Sequence, residues 1–141
     1  VLDLDKERCA GTVQAIRDAG GKAIALGADV AKRADVFAAV EELREAMGPV
    51  SILVNNAGVT DFTPFEDITD ELWDFVYAVN VRGPMTLAQA VLPDMKAAGW
   101  GRIVNISSSS AQTGAVNMIT YSSSKGAIVT MTRSMAQEFG P

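Results

Sequence analysis

The chain has 141 residues, enough for one ordinary domain, and its 48% hydrophobic and 21% charged residues give a globular balance that argues against a disordered tail. A formal net charge of −5, with no cluster of Lys and Arg, would repel a phosphate backbone and disfavours nucleic acid as a partner. With no His and a single Cys, Cys9, neither a His/Cys zinc site nor a Ser-His-Asp triad can be assembled, so acid–base work falls to Tyr, Lys, Asp or Glu.

Val1-Leu2-Asp3 reads as the tail of a strand. From Asp5 the pattern turns helical: Asp5 can cap the N-terminus, Cys9, Val13 and Ile16 share one face, and Gly20-Gly21 supplies a left-handed stop. Ala23 to Leu26 is a short apolar run bounded by Gly27, which predicts a buried strand. A second helix is expected over about 32–47, with Val36, Phe37, Val40, Leu43 and Met47 inward and Gly48-Pro49 ending it.

Val50 to Val54 is nearly all apolar, as in a parallel sheet covered on both faces, and Asn55-Asn56-Ala57-Gly58 follows at once. A loop to about Glu66 leads into a long helical region from roughly Asp70 to Ala98, in which Pro84 and Pro93 predict a kink or a break. Arg102 to Ile106 is another buried strand, running straight into Ser107 to Ser110, and a last helix runs from near Met118 to Phe139. Strand and helix alternate throughout, which implies right-handed crossovers and one α/β domain over 1–141: a doubly wound parallel sheet with helices on both faces.

In such sheets ligands bind beyond the carboxyl ends of the strands. Three of those ends are polar or glycine-rich here: Gly27-Ala28-Asp29-Val30, Asn55-Asn56-Ala57-Gly58 and Ser107 to Ser110. Tyr121 and Lys125 are four residues apart on the last helix, so their side chains share a face, and an ammonium there favours a phenolate over a phenol. Such a tyrosine can act as general acid or base. A surface Tyr and Lys sharing a helical face by chance would look the same in isolation; the serine-rich strand end before them weighs toward chemistry.

The set Asp29-Val30, Asn55-Asn56-Ala57-Gly58, Asn80, Ser108 and Tyr121-Ser122-Ser123-Ser124-Lys125 resembles the short-chain dehydrogenase/reductase family in order and spacing, over essentially the whole chain. The resemblance implies a Rossmann-like fold and hydride transfer between NAD(P) and a carbonyl or secondary alcohol. It makes Tyr121 the catalytic acid/base, Lys125 the residue that holds the nicotinamide ribose, and Ser108, thirteen residues before Tyr121, the hydrogen-bond partner of the substrate oxygen. Asn80 would anchor a water connecting Lys125 to solvent, although an asparagine in a helix can equally bind main chain. Ser107, Ser109 and Ser110 would satisfy backbone groups.

For the cofactor, the resemblance puts Asn56 near the adenosine ribose, with Ala57 and Gly58 allowing close backbone approach. Asp29 would accept from the adenine amino group, and Val30 would pack by the ring. Asp3 would bind the ribose hydroxyls and repel a 2′-phosphate, so NAD is preferred and NADP possible. The family's first strand, glycine-rich turn and first helix would precede Val1, and its last strands would follow Pro141. The expectation is therefore of an internal portion whose sheet leaves two strand edges unpaired, and which alone would neither fold stably nor turn over substrate.

The segments 52–58 and 101–109 look like those of 3-oxoacyl reductases and equally like those of many secondary-alcohol dehydrogenases, so they do not select a substrate. Two other readings stand beside this one. A nucleotide-sugar epimerase or dehydratase uses a similar Tyr and Lys, but the Asn-Asn-Ala-Gly run and the short spacing to Tyr121 disfavour it. A non-catalytic sensor or scaffold would need none of Asn80, Ser108, Tyr121 and Lys125. The expected partners are a small carbonyl or alcohol substrate and, by analogy with the family's usual tetramer, further copies of the chain; Met131 and Met135 fit such a packing surface, and an intrachain core would explain them as well. No metal site, membrane or nucleic acid is expected, and a lone Cys fits a cytoplasmic, reducing location.

Overall fold

The computed structural model describes residues 1–140; Pro141, placed by the sequence just past the last helix, lies outside the described residues. The chain divides into two compact units. The first comprises Val1–Leu53 with Thr86–Arg102, and the second Val54–Met85 with the residues from Ile103 onward.

In the first unit, β1 (Leu2–Asp3) pairs in parallel with β2 (Leu26–Gly27), Leu2 opposite Leu26 and Asp3 opposite Gly27. Between them Asp5 accepts a hydrogen bond from the Glu7 N–H and starts a 3₁₀ turn, Lys6–Cys9, that runs into α1 (Ala10–Asp18). Cys9 and Val13 are buried, and Gly20 at φ 80° turns the chain away, as the Gly-Gly pair predicts. α2 (Arg33–Met47) lays Ala39 onto Leu26 and Ala28, with Leu2, Ile24 and Leu43 around them.

Phe37 and Met47, expected inward, are instead 39% and 44% exposed. The buried stripe is Val36, Ala39 and Val40, at i, i+3 and i+4. Phe37, one residue round from Val36, falls off its edge and lies under the Arg33 guanidinium, 4.7 Å from the ring centre. α2 ends in a polar lock: Arg44 Nε donates to Asp94 at 2.9 Å, Arg44 Nη2 to the Ala90 carbonyl at 2.6 Å, and the Val50 N–H to Asp94 at 3.0 Å.

β3 (Ile52–Asn55) and β4 (Arg102–Asn105) form a second two-stranded pair. The Arg102 N–H donates to Ser51 and the Ile106 N–H to Asn55, so the register advances the same way along both strands and the pairing is parallel. β1 and β3 each have a strand on one edge only among the described residues. Full burial of these strands is not what the structure shows: Ile52 and Val54 are 55% and 56% exposed, and Val104 and Ile106 exceed 40%. Their side chains alternate across the pleat, and one face has no covering layer within these residues.

In the second unit, Thr69 caps α3 (Asp70–Tyr77) by accepting from the Leu72 N–H at 3.2 Å. The single long helix expected from Asp70 to Ala98 is broken at a π-helical turn, Ala78–Arg82, before α4 (Gly83–Ala98). Pro84 explains the break: it has no N–H, and its ring would meet the carbonyl of Asn80 in a regular α-helix. The wider turn, with the Gly83 N–H reaching back to the Ala78 carbonyl, relieves that clash. Pro93, by contrast, is accommodated inside α4. α5 (Ser110–Thr113) follows β4, and α6 (Ile119–Phe139) carries Tyr121 and Lys125.

Candidate active site

The site is built on α6. Lys125 is 5% exposed, its Nζ donates to the Ile106 carbonyl just past β4 at 2.8 Å, and it lies 5.7 Å from the centre of the Tyr121 ring. The two side chains therefore share a helix face, and Tyr121 itself is half-buried. Burial pushes the Lys125 ammonium below the ordinary lysine range, because desolvation disfavours its charge. An ammonium has three donors and one is spent on Ile106. Ser107 Oγ donates to the Lys125 carbonyl at 3.0 Å and ties this turn of α6 to the strand end.

Asn80, 1% exposed, sits in the π turn and reads main chain on both sides. Its Oδ1 accepts from the Val59 N–H and its Nδ2 donates to the Val59 carbonyl, each at 2.8 Å, while Nδ2 also donates to Ser124 Oγ at 3.0 Å. Ser124 in turn donates to the Tyr121 carbonyl at 2.7 Å. The segment after Asn55-Asn56-Ala57-Gly58 is thus clamped to α6 through one asparagine. Gly58 lies closest: a Cβ there would stand 3.3 Å from Asn80 Oδ1 and 3.4 Å from Lys125 Nζ. Asn56, Ala57 and Gly58 are all exposed.

Ser108 Oγ accepts from the Ser110 N–H at 3.2 Å and from Ser110 Oγ at 3.0 Å. Both lone pairs are then occupied and its own O–H remains to donate. Of the other serines, Ser107 binds backbone as expected, whereas Ser110 spends its hydroxyl on Ser108.

Asp3, Asp29 and Val30 belong to the first unit. Asp3 ends β1, with Oδ1 accepting from the Leu4 N–H at 2.8 Å and pairing with Arg8 at 3.4 Å; its side chain is 45% exposed. The Ala28 N–H donates to the Asp3 carbonyl, so the residues after β2 run alongside Asp3. Asp29 closes a short turn, accepting from the Ala31 N–H at 3.0 Å and lying 3.6 Å from Lys32 Nζ; Val30 is buried.

Two residues to which the sequence assigned no individual role support the site. Asn55 Nδ2 donates to Asn105 Oδ1 at 2.8 Å, and Asn105 Nδ2 donates to Thr132 Oγ1 at 2.9 Å, a polar ladder from β3 across β4 to α6. The available signal was an asparagine at the end of each of two strands, after Ile52-Leu53-Val54 in one and Ile103-Val104 in the other.

A sequence model described as short chain dehydrogenase matches residues 1–141. A 2-(S)-hydroxypropyl-CoM dehydrogenase of Xanthobacter autotrophicus is 36% identical over 139 residues, which are 99% of this chain and 54% of that protein. The crystal structure of a gluconate 5-dehydrogenase from Burkholderia cenocepacia, in complex with NADP and tartrate, superposes with a TM-score of 0.91 at 33% identity, over 98% of this chain and 54% of that one. An NAD⁺-bound xylitol dehydrogenase gives a TM-score of 0.94 at 31% identity, over 99% of this chain and 54% of its own. The chain spans about half the length of the relatives it matches. By fold, by motif order and by this similarity, the chain belongs to the short-chain dehydrogenase/reductase family.

Proposed function

We propose that these residues carry the proton-handling side of an NAD(P)-dependent oxidoreduction between a carbonyl and a secondary alcohol. The observation that carries the reading is the desolvated Lys125 ammonium, 5.7 Å from the Tyr121 ring centre on the same face of α6. The residues present fit a nicotinamide dinucleotide: Lys125 has donors beyond the one held by Ile106, and the glycine at 58 keeps the space beside it open. When bound, the nicotinamide supplies the hydride chemistry; the protein supplies position and electrostatics.

Lys125 would hold the nicotinamide ribose hydroxyls, with Asn56, Ala57 and Gly58 along the adenosine ribose. Ser108, its lone pairs taken by Ser110, donates its O–H to the substrate oxygen and fixes it. Tyr121 gives its phenolic proton to that oxygen during reduction and takes it back during oxidation. Pro84 offers no N–H to the Asn80 carbonyl, which suits that carbonyl to hold a water on the way from Lys125 to solvent. Asp3, Asp29 and Val30 would form the adenosine side, with the Asp3 carboxylate favouring NAD over NADP. Assembly as a homotetramer and a cytoplasmic location belong to the same reading.

Tyr121→Phe in the whole protein tests it. Turnover, followed as absorbance at 340 nm, should fall by about 10²–10⁴-fold while NAD(P) binding by calorimetry persists. Undiminished turnover removes the core of the reading.

A further inference from the structure

One acidic group in the second unit takes no part in the network around Asn80 and Lys125. Asp61 has both carboxylate oxygens shut off from solvent, and neither accepts a hydrogen bond from any described residue. Among the described residues no cation pairs with it. A carboxylate taken out of water without donors is among the least favourable things a protein can bury, and native structures rarely tolerate it without a use.

The position of Asp61 indicates that use. The chain is anchored at Val59, whose N–H and carbonyl are both held by Asn80, beside a Gly58 that stands against the Lys125 head. It is anchored again at Thr63, whose N–H donates to the Asn117 carbonyl at 2.8 Å. Asn117 lies two residues before α6 begins and four before Tyr121, and has the left-handed φ of 58°. Asp61 is the midpoint of this span, two residues and so at most about 7 Å of chain from either anchor. The first turn of α6 holds two more hydroxyls that are buried and unpartnered, Thr120 Oγ1 and Ser122 Oγ. Between the anchors the segment has no regular structure, and Phe62 is 73% exposed. The span can part without breaking a helix or a strand.

We infer that Asp61 is a specificity-determining residue that accepts two hydrogen bonds from adjacent hydroxyls of a neutral polyhydroxylated substrate whose reacting carbon lies at Tyr121. Two free oxygens on one carboxylate call for two donors a short distance apart, which a vicinal diol provides and a simple alcohol does not. The negative charge works against substrates carrying a carboxylate or phosphate. A cationic substrate would bring a further positive charge to a site that already holds the Lys125 ammonium, whereas hydroxyls bring none. The inference rests on the oxidoreductase reading, and it adds a substrate class to it.

The test compares wild-type whole protein with Asp61→Asn, loaded with NAD(P), on a linear pentitol, 2-pentanol and 1-amino-2-pentanol. The wild type should prefer the pentitol, and the variant should lose at least about tenfold of the pentitol-to-pentanol ratio in kcat/KM, as expected when hydrogen bonds to a charged group are weakened. Pentitol affinity by calorimetry should fall in parallel. The melting temperature of the ligand-free variant should hold or rise, since an uncompensated charge has been removed. A lowered melting temperature would mean that a structural donor satisfies Asp61, and that overturns the inference, as do an equal loss on both alcohols and a wild-type preference for the amino alcohol. If no alcohol is oxidised, the oxidoreductase reading fails, and calorimetry alone still decides on Asp61: pentitol binding that Asp61→Asn abolishes supports it, and no binding to the wild type rejects it.

Discussion

Two polar constellations in this chain look alike by composition and differ in what they leave unsatisfied. In the first unit Arg44 is bound to Asp94, Glu41 and the Ala90 carbonyl, and Asp94 accepts from Arg44 and from the Val50 N–H. Every strong group there has a partner, and the lock joins α2, the start of β3 and α4. In the second unit Asn80 and Ser124 are also satisfied, yet around them Lys125 keeps donors in reserve, Ser108 keeps its proton and Asp61 keeps both oxygens. A completed network stabilises a fold, whereas spare capacity held in place by a completed network is what a ligand can use.

Substitutions should separate these roles. The largest stability effect is expected at Asn80, which is both buried and fully engaged. Asn80→Leu leaves the Val59 N–H and carbonyl without partners and should cost about 2–5 kcal/mol in denaturant unfolding, with turnover lost as the 58–59 segment comes free. A loss below 1 kcal/mol would show that the clamp is not what holds that segment.

A smaller effect, on stability and not on chemistry, should follow Asp94→Asn, about 1–3 kcal/mol at neutral pH. The Arg44 guanidinium and the Val50 N–H hold the Asp94 carboxyl below its usual range. A depressed carboxylate contributes stability that is present above its unfolded value, near 4, and is lost as pH falls through the folded one. Melting temperatures measured between neutral pH and about pH 3 should therefore fall more steeply for the wild type than for Asp94→Asn. Parallel curves would remove Asp94 from the account of acid stability.

The smallest effect concerns cofactor choice. Asp3 is half-exposed, and Arg8 beside it offsets part of its charge, so the repulsion of a 2′-phosphate proposed for it would be screened. Asp3→Asn should shift the ratio of NAD to NADP efficiency toward NADP by about a few-fold to tenfold, the scale of one screened charge. No shift would take cofactor discrimination away from β1.

Much of the local structure was legible because it rests on local chemistry. Asp5 as a cap, the left-handed stop at Gly20, the end of α2 at Gly48 and the buried face of α1 follow from capping, φ freedom and helical period. The errors came where the surroundings decide. Phe37 depends on how wide a stripe the neighbouring layer can cover, and the exposed faces of β3 and β4 depend on which layers are present. An apolar strand looks the same whether one face is covered or both.

By itself the sequence determined which groups the candidate site offers: Tyr121 and Lys125 one helical turn apart, a serine thirteen residues earlier, and an Asn-Asn-Ala-Gly strand end. It also determined that a proline follows Asn80 by four residues, though not that the helix would answer with a π turn. Only the tertiary structure decided that Asn80 clamps Val59, that the Lys125 ammonium is desolvated against Ile106, and that the two carboxylate oxygens of Asp61 are shut off from solvent without a donor. The reason is physical: residue type and spacing fix what a side chain can offer, but burial and partnership come from contacts between segments dozens of residues apart.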